Sequence, residues 1–309
     1  MQQRELGKSG LFITPLMLGG NVFGFTADEK ASFAVLDAFV EAGGNCIDTA
    51  DVYSIWAPGH VGGESEIVLG KWFAQGGGRR EKVLIGTKVG KWPRRRGLTR
   101  ANILAACEES LKRLGVETID LYQLHEDDAG VAPEDYMRTL DDLVKAGKVR
   151  AVGLSNFSPV RTLAAIQAGG PRIETMQPEY SLMRRGIEAE LAPLCVREQI
   201  SLITYFSLAN GYLSGKYRTE ADKTKSVRGE RMGAYMNGKG PVVLAAMDGV
   251  SARTGASLAQ IALAWQLAKP GIAAPIASAT SVAQLKELMG ALEVALSKED
   301  ISALDHASA

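Results

Sequence analysis

The chain has 309 residues, 46% of them apolar and 23% charged, and its 35 basic residues balance 35 acidic ones. A net charge of zero gives no electrostatic basis for binding nucleic acid or an anionic membrane, because both depend on surplus basic side chains. Three cysteines are too few for a disulfide scaffold and are typical of a reducing compartment, so we expect a cytoplasmic protein.

Eight short apolar runs are candidate strands, and they alternate with segments of helical periodicity. They are Thr14–Leu18, Asn45–Asp48, Val83–Thr87, Thr118–Leu124, Val149–Leu154, Glu174–Gln177, Ser201–Tyr205 and Ile272–Pro275. Such alternation is typical of parallel strands joined by crossover helices, and eight units predict a closed barrel. A doubly wound open sheet is the alternative, but no G-x-G-x-x-G follows the first strand. We therefore predict one α/β domain, a (β/α)8 TIM barrel spanning residues 1–309.

Helix boundaries are marked by capping residues. Thr26 and Glu29 have the spacing of a capping box at the start of the first helix. Thr99 is placed to cap a helix that ends at Gly115, and Ser257 is placed to open one near the C-terminus. These signals support the alternation of strands and helices.

A long irregular stretch runs from Leu208 to about Gly240, after the seventh candidate strand. Long loops in compact domains are usually functional or mobile, and this one would overhang the strand ends where barrel active sites lie. Gly211–Lys216 reads G-Y-L-S-G-K, one residue short of a P-loop, and Tyr217 stands where Ser or Thr must hold magnesium. We therefore expect no P-loop here.

Four polar side chains of complementary type fall at the ends of three successive strands: Asp48, Tyr53, Lys88 and His125. Each alone has a structural interpretation, such as a loop cap or a buried core histidine. A tyrosine with a pKa of about 10 is a poor acid at neutral pH. A nearby lysine would lower that pKa, and a buried aspartate would hold the ammonium in place.

Histidine can donate a hydrogen bond to a carbonyl oxygen and position it. Together the four groups suit the reduction of a carbonyl by hydride and a proton. The hydride must come from a cofactor, because no side chain supplies one.

These residues and their surroundings resemble the aldo-keto reductases over nearly the whole chain. The motifs that carry the resemblance are C-I-D-T-A-D-V-Y (Cys46–Tyr53), G-E-S-E-I-V-L-G-K-W (Gly63–Trp72), I-G-T-K (Ile85–Lys88), D-L-Y-Q-L-H (Asp120–His125), G-L-S-N-F (Gly153–Phe157), Q-P-E-Y-S-L (Gln177–Leu182) and the segment Tyr205–Lys216. The resemblance implies a (β/α)8 barrel that binds NADPH without a Rossmann domain. It also implies NADP(H)-dependent reduction of a small aldehyde or ketone, with the four residues as a catalytic tetrad and Tyr53 as proton donor.

The resemblance also implies a set of cofactor contacts. Ser155, Asn156 and Gln177 would hold the nicotinamide carboxamide, and Tyr205 would stack on the nicotinamide ring. The loop over the pyrophosphate would comprise Leu208, Gly211, Leu213 and Lys216.

One departure from the family pattern concerns the 2′-phosphate. The family usually has an arginine after the eighth strand, ahead of a glutamine. Here Gln284 is preceded by Thr280 at the arginine position, with Ser278 two residues earlier. Hydroxyl groups and helix N-terminal amides can still bind phosphate, so we expect NADP(H) to be preferred and NAD(H) to be usable.

Aromatic residues on the loops after the first three strands predict an apolar wall for the substrate, formed by Phe23, Phe25, Trp56 and Trp92. No metal site is expected, because the three histidines are far apart in sequence. Related barrels serve as regulatory subunits of potassium channels, so a redox-sensing subunit is the alternative to an enzyme.

Overall fold

Ten strands lie within the residues that a computed structural model of the protein describes, 2–225 and 229–309. They are β1 (Arg4–Glu5), β2 (Phe12–Ile13), β3 (Met17–Gly19), β4 (Cys46–Asp48), β5 (Leu84–Val89), β6 (Ile119–Leu124), β7 (Val149–Ser155), β8 (Ile173–Gln177), β9 (Ser201–Thr204) and β10 (Ile272–Ala277).

Eleven α-helices lie in the same two ranges. They are α1 (Glu29–Glu41), α2 (Glu64–Ala74), α3 (Arg100–Leu114), α4 (Pro133–Lys145), α5 (Pro159–Gln167), α6 (Leu191–Arg197), α7 (Gly233–Met236), α8 (Gly240–Thr254), α9 (Leu258–Leu267), α10 (Val282–Met289) and α11 (Lys298–Ala307). None of the helices in these ranges is both long and apolar enough to cross a membrane.

The strands β3 to β10 pair in parallel and close into a barrel, with β10 beside β3. Each of the eight predicted strands overlaps one of them, so the predicted (β/α)8 barrel is confirmed. The larger apolar cluster lies between the strands and the surrounding helices, and a smaller one fills the barrel interior.

The first barrel strand begins at Met17, three residues later than predicted. Pro15 has no N–H to give to a β-ladder, and the Thr14 hydroxyl instead donates to the carbonyl of Gly43, at 2.6 Å. The antiparallel hairpin of β1 and β2, which the sequence did not predict, precedes this strand. Its Leu6 and Ile13 are fully buried and pack against the barrel interior, so the hairpin closes the N-terminal end.

Two of the three predicted helix starts are confirmed. Thr99 and Ser257 accept hydrogen bonds from the first turns of α3 and α9. The predicted Thr26–Glu29 capping box is wrong, because Asp28 caps α1 through a 2.8 Å hydrogen bond from the Ala31 N–H. Aspartate is among the preferred N-cap residues, and Thr26 lies instead in the preceding turn.

The stretch from Leu208 to Gly240 is built of short helical turns rather than extended loop. Three-residue-per-turn helix occurs in Glu220–Lys225 and Gly229–Met232, and α7 follows. Ala209–Ser214 contains similar turns, but the left-handed backbone of Asn210 and Gly211 interrupts them. Residues 226–228, which the predicted loop includes, lie outside the described residues.

Two helical glycines test how closely the outer helices pack. A Cβ at Gly70 in α2 would lie 2.2 Å from the Arg113 carbonyl oxygen of α3, whereas a Cβ at Gly249 in α8 would have no neighbour within 4 Å. We expect Gly249→Ala to raise the free energy of unfolding by about 0.4–1 kcal/mol, through helix propensity and a less flexible unfolded chain. Gly70→Ala should lower it by about 1–3 kcal/mol, because α2 must move away from α3.

Chemical denaturation of both variants beside the wild type measures the two changes. A Gly70→Ala protein at least as stable as the wild type would contradict the close packing of α2 on α3.

Candidate active site

The four polar residues predicted at the strand ends lie together at the C-terminal end of the barrel. Lys88 Nζ is 2.7 Å from Asp48 Oδ1 and donates to the Tyr53 hydroxyl at 3.0 Å. The Tyr53 hydroxyl donates in turn to Asp48 Oδ2 at 3.1 Å. The Tyr53 and His125 rings meet edge to face with centroids 6.0 Å apart. The barrel therefore brings all four into one cluster.

The position of Lys88 follows from strand register and hydrogen bonding. Asp48 at the end of β4 pairs with Gly86 of β5, and Lys88 lies two residues further on the same face. The lysine is fully buried, and its third acceptor is the Thr49 carbonyl at 2.7 Å. Burial lowers the pKa of Lys88, and the neighbouring Asp48 carboxylate opposes that shift. Three acceptors for three N–H groups hold the ammonium in one place.

The tyrosine differs from the sequence prediction in its acidity. Burial, followed by the charge of Asp48 and its hydrogen bond, raises the pKa of Tyr53 well above its ordinary value. We predicted a pKa lowered by Lys88, but the net shift is upward, because burial disfavours the phenolate and Asp48 lies as close to the phenol as the ammonium does. Tyr53 therefore keeps its proton throughout the neutral range.

The histidine is an uncharged hydrogen-bonding group. Burial, with smaller effects from Lys88 and Lys91, lowers the pKa of His125 well below its ordinary value. Its Nδ1 is buried and has no hydrogen-bond partner within the described part of the chain. A neutral imidazole carries a single N–H, so His125 can give one hydrogen bond to a group placed beside Tyr53.

The three residues expected to hold a carboxamide adjoin this cluster. The Gln177 amide at the end of β8 donates to Asp48 Oδ1 at 2.8 Å, and the Ser155 hydroxyl donates to the Gln177 carbonyl at 2.8 Å. Asn156 has a positive φ of 58°, and its amide donates to the His125 carbonyl at 2.9 Å. These contacts connect the ends of β7 and β8 to Asp48 and His125.

The loop after β9 lies at the same end of the barrel. The Tyr205 hydroxyl donates to Asn156 Oδ1 at 2.7 Å. Gly211 has a φ of 98°, and the Gly211 and Leu213 N–H groups donate to the Leu208 carbonyl at 2.9 and 3.1 Å. The Leu213 side chain is fully buried, so only its backbone can face a ligand.

The predicted 2′-phosphate residues follow β10. The N–H and hydroxyl of Thr280 both donate to Gln284 Oε1, at 2.9 and 3.0 Å, and Ser281 caps α10. Ser278 donates to the side chain of Asn21, in the turn that follows the neighbouring β3, a contact that the sequence did not predict. The site here offers hydroxyl and amide groups rather than a guanidinium.

Of the four predicted aromatic residues, Trp56 lies beside Tyr53, and Trp92 belongs to the apolar cluster against which Tyr53 packs. Trp56 is 47% exposed, with its ring centroid 5.8 Å from Tyr53 and 6.3 Å from Phe25. Phe23 is fully buried in the core, where no substrate reaches it. Trp92 is nearly buried, and its indole N–H donates to the Val61 carbonyl at 2.7 Å. Phe25 and Trp56 are therefore the partly exposed aromatic residues here, and Phe23 and Trp92 the buried ones; contact of Phe25, Trp56 or Trp92 with a substrate stays a prediction.

Sequence reasoning missed a second buried charged cluster behind Lys88. Glu66 on α2 is fully buried and accepts hydrogen bonds from Thr87 at 2.5 Å and Arg113 at 2.6 Å. Asp51 is also buried, and its Oδ1 has no partner among the described residues. Glu66 lies one helical turn before the buried Leu69, so a charge on the apolar face of α2 was the available signal.

Burial and the charge of Glu66 raise the pKa of Asp51 to about 7, against the opposing effects of Arg113, Arg95 and Lys88. The unfolded chain releases this proton near its reference pKa of about 3.9, so between the two values only the folded state holds it. The free energy of unfolding therefore falls as pH rises through this interval, by up to about 1.4 kcal/mol per unit.

Asp51→Asn imitates the protonated carboxyl at every pH. We expect this variant to gain stability relative to the wild type as pH increases from 5 to 8. Thermal melts across this range measure the difference, with Asp135→Asn, which removes an exposed carboxylate, as control. A difference in Tm that stays constant across the pH range would contradict a buried, titrating Asp51.

Comparison with known proteins places this arrangement in a family. The model of the aldo/keto reductase family matches residues 15–309. The uncharacterized oxidoreductase YrpG of Bacillus subtilis is 34% identical over 317 residues, covering 99% of this chain and 95% of its own. The aldo-keto reductase YhdN of the same organism is 32% identical, covering 92% of this chain and 85% of its own.

A protein of Arabidopsis thaliana named a probable voltage-gated potassium channel subunit beta is 32% identical over 310 residues, covering 95% of this chain and 92% of its own. The family match spans the whole barrel and all four clustered residues. The chain therefore belongs to the aldo/keto reductase family, a family of oxidoreductases that act on carbonyl compounds.

Proposed function

We propose that this protein is an NADP(H)-dependent reductase that converts aldehydes or ketones to alcohols, with Tyr53 as the proton donor. The observation that carries the proposal is the triangle of Tyr53, Lys88 and Asp48 with a neutral His125 beside it. The Tyr53 and His125 rings meet edge to face, so a carbonyl oxygen bound beside both would accept a hydrogen bond from each, with the Tyr53 hydroxyl turned from Asp48 Oδ2 towards it.

The residues around this point fit a nicotinamide dinucleotide. Ser155, Asn156 and Gln177 provide hydroxyl and amide groups of the kind that bind a carboxamide. A Cβ at Gly211 would lie 3.8 Å from Lys216 Nζ, so an ammonium group lies close to this backbone, where it would attract a pyrophosphate. When bound, the dihydronicotinamide would supply the hydride.

The side chains account for the proton and the charge. The neutral Tyr53 gives its proton to the carbonyl oxygen as that oxygen gains negative charge. The phenolate that remains is stabilised by the Lys88 ammonium, which already donates to this oxygen. Asp48 keeps the ammonium in place, and the single N–H of His125 holds the carbonyl oxygen. Asp48 and Lys88 thus act through Tyr53, while His125 acts on the substrate.

The substrate in this proposal is a small apolar carbonyl compound. Trp56 lies beside the Tyr53 ring and Phe25 lies beside Trp56, so an apolar surface adjoins the polar cluster. Sites of this kind bind small molecules by apolar contact and orient them through a few polar groups. Aromatic aldehydes suit this face best.

A redox-sensing subunit is the second candidate, supported by the similarity to the plant protein named as a channel β subunit. The two functions differ in turnover. An enzyme reduces many equivalents of aldehyde per protein molecule, whereas a sensor that only holds its cofactor oxidises about one equivalent of NADPH. Stopped-flow and steady-state measurements with an aromatic aldehyde separate them.

The proposed role of Tyr53 as proton donor predicts how much activity is lost when its hydroxyl is removed. Tyr53→Phe should lower kcat for aldehyde reduction by a factor of about 10²–10⁴, because general acid catalysis contributes that much, and should change the cofactor Kd by only a few-fold. Tyr136→Phe is the matched control, since the buried Tyr136 hydroxyl has no hydrogen-bond partner among the described residues. Activity above a tenth of the wild-type rate in Tyr53→Phe would refute Tyr53 as donor.

The missing arginine predicts a modest cofactor preference. Neutral hydrogen bonds contribute about 1 kcal/mol, against about 1.5–3 kcal/mol for bonds to a charged group. We expect kcat/KM to favour NADPH over NADH by about tenfold, which corresponds to about 1.4 kcal/mol. Thr280→Arg should increase this ratio by supplying a bidentate donor, and Thr280→Gln, which adds bulk without charge, should not. Equal or better use of NADH by the wild type would contradict this preference.

A further inference from the structure

A buried amide on α9 has no role in the site described so far. Eight of the ten residues of α9 are buried, and Gln266 is the one polar side chain among them. A buried amide costs stability unless its oxygen and nitrogen both find partners. The partners of Gln266 therefore indicate why an amide stands on this apolar surface.

Both ends of the Gln266 amide are bonded to the exit of β9. Its Oε1 accepts from the Thr204 hydroxyl at 2.6 Å, and its Nε2 donates to the Ser207 carbonyl at 3.0 Å. The Ser207 hydroxyl donates to the Thr204 carbonyl at 3.0 Å. Thr204 and Ser207 are themselves buried, so these bonds are shielded from water. The Gln266 amide therefore links Thr204, the last residue of β9, to Ser207 in the loop that follows.

The loop beyond this step has an unfavourable backbone. Phe206, Ala209 and Asn210 have φ values of 51°, 47° and 57°, followed by Gly211 at 98°. Residues with a Cβ rarely adopt this region, and such conformations persist only where surrounding contacts impose them. The Phe206 ring is 40% exposed, so its own burial does not impose the turn.

The loop has a second anchor on its outer side. The Asn210 amide donates to the Tyr235 hydroxyl at 2.9 Å, and the Tyr235 ring stacks on Tyr212 with centroids 5.6 Å apart. Tyr235 is only partly buried, whereas Gln266 is fully buried. The inner anchor is therefore a buried link between α9 and the end of β9.

We propose that Gln266 is a positioning residue for the cofactor, holding the loop from Phe206 to Gly211 in the bent conformation that receives a dinucleotide pyrophosphate. This inference rests on the proposed function, which assigns that loop to the pyrophosphate. Without the amide, the loop spends part of its time in relaxed conformations. The apparent Kd then rises by the inverse of the fraction that remains bent.

Gln266→Met tests the inference, because methionine has a similar volume and neither hydrogen-bonding group. We expect the Kd for NADPH, measured by fluorescence titration, to rise tenfold or more, which is about 1.4 kcal/mol or more. The KM for NADPH should rise in parallel, and kcat at saturating NADPH should stay within twofold of the wild type. Backbone amides of residues 206–213 should exchange with deuterium faster in the cofactor-free variant.

The control is Gln260→Met on the same helix. Gln260 completes the cap of α9 and donates to the Glu287 carbonyl at 3.0 Å, away from the loop. The Gln260→Met variant should have a lower Tm and a nearly unchanged cofactor Kd. Comparing the two variants separates an effect on helix stability from an effect on the position of the loop. Thr204→Val, which removes one hydrogen bond with little change in volume, should raise Kd several-fold and decides the matter if Gln266→Met does not fold.

The proposal is overturned if Gln266→Met, or Thr204→Val in its place, keeps its cofactor Kd within twofold, or if kcat falls while KM does not change. Unchanged deuterium exchange in the loop would overturn it as well, without reference to any ligand. A wild-type protein that binds neither NADPH nor NADH would contradict the proposed function itself, and the inference would fall with it.

Discussion

The buried ammonium of Lys88 is the interaction on which the rest of the site depends. A charge taken out of water is costly unless its partners replace the hydration shell, and here Asp48, Thr49 and Tyr53 do so within 3.0 Å. Those partners come from β4 and the turn that follows it, so the register between β4 and β5 must be exact to one residue. A slip by one would point Lys88 out of the barrel.

The same requirement explains the neighbours of this lysine. Gln177 gives its amide to the Asp48 oxygen that also contacts Lys88, and Ser155 bonds to the Gln177 carbonyl. Each residue in this series of hydrogen bonds is held by the next. The geometry around Tyr53 therefore depends on four strands, β4, β5, β7 and β8, rather than on one loop. A site built on strands in this way keeps its side chains in place more precisely than a site on mobile loops.

The sequence predicted what local patterns encode and missed what depends on contacts between distant segments. Apolar runs located all eight barrel strands, and their ends located Asp48, Lys88 and His125. Phe23 and Trp92 have the same residue types and loop positions as Phe25 and Trp56, and only tertiary packing separates them. The prediction of the Tyr53 pKa was wrong for a related reason, because the sequence shows neither the burial of the phenol nor that Asp48 is as close to it as Lys88. Glu66 and Asp51 were missed because their partners lie on other elements.

The two ends of the barrel differ in how their buried side chains affect stability. At the N-terminal end the hairpin of β1 and β2 buries Leu6 and Ile13 against apolar side chains, which favours stability. At the C-terminal end, His125 Nδ1 and Gln123 Nε2 are buried without partners among the described residues, which costs stability. Native proteins accept such costs mainly at functional sites, where the residue types are chosen for chemistry rather than for stability. His125 lies beside Tyr53, so part of this cost falls where the proposed function needs a polar side chain.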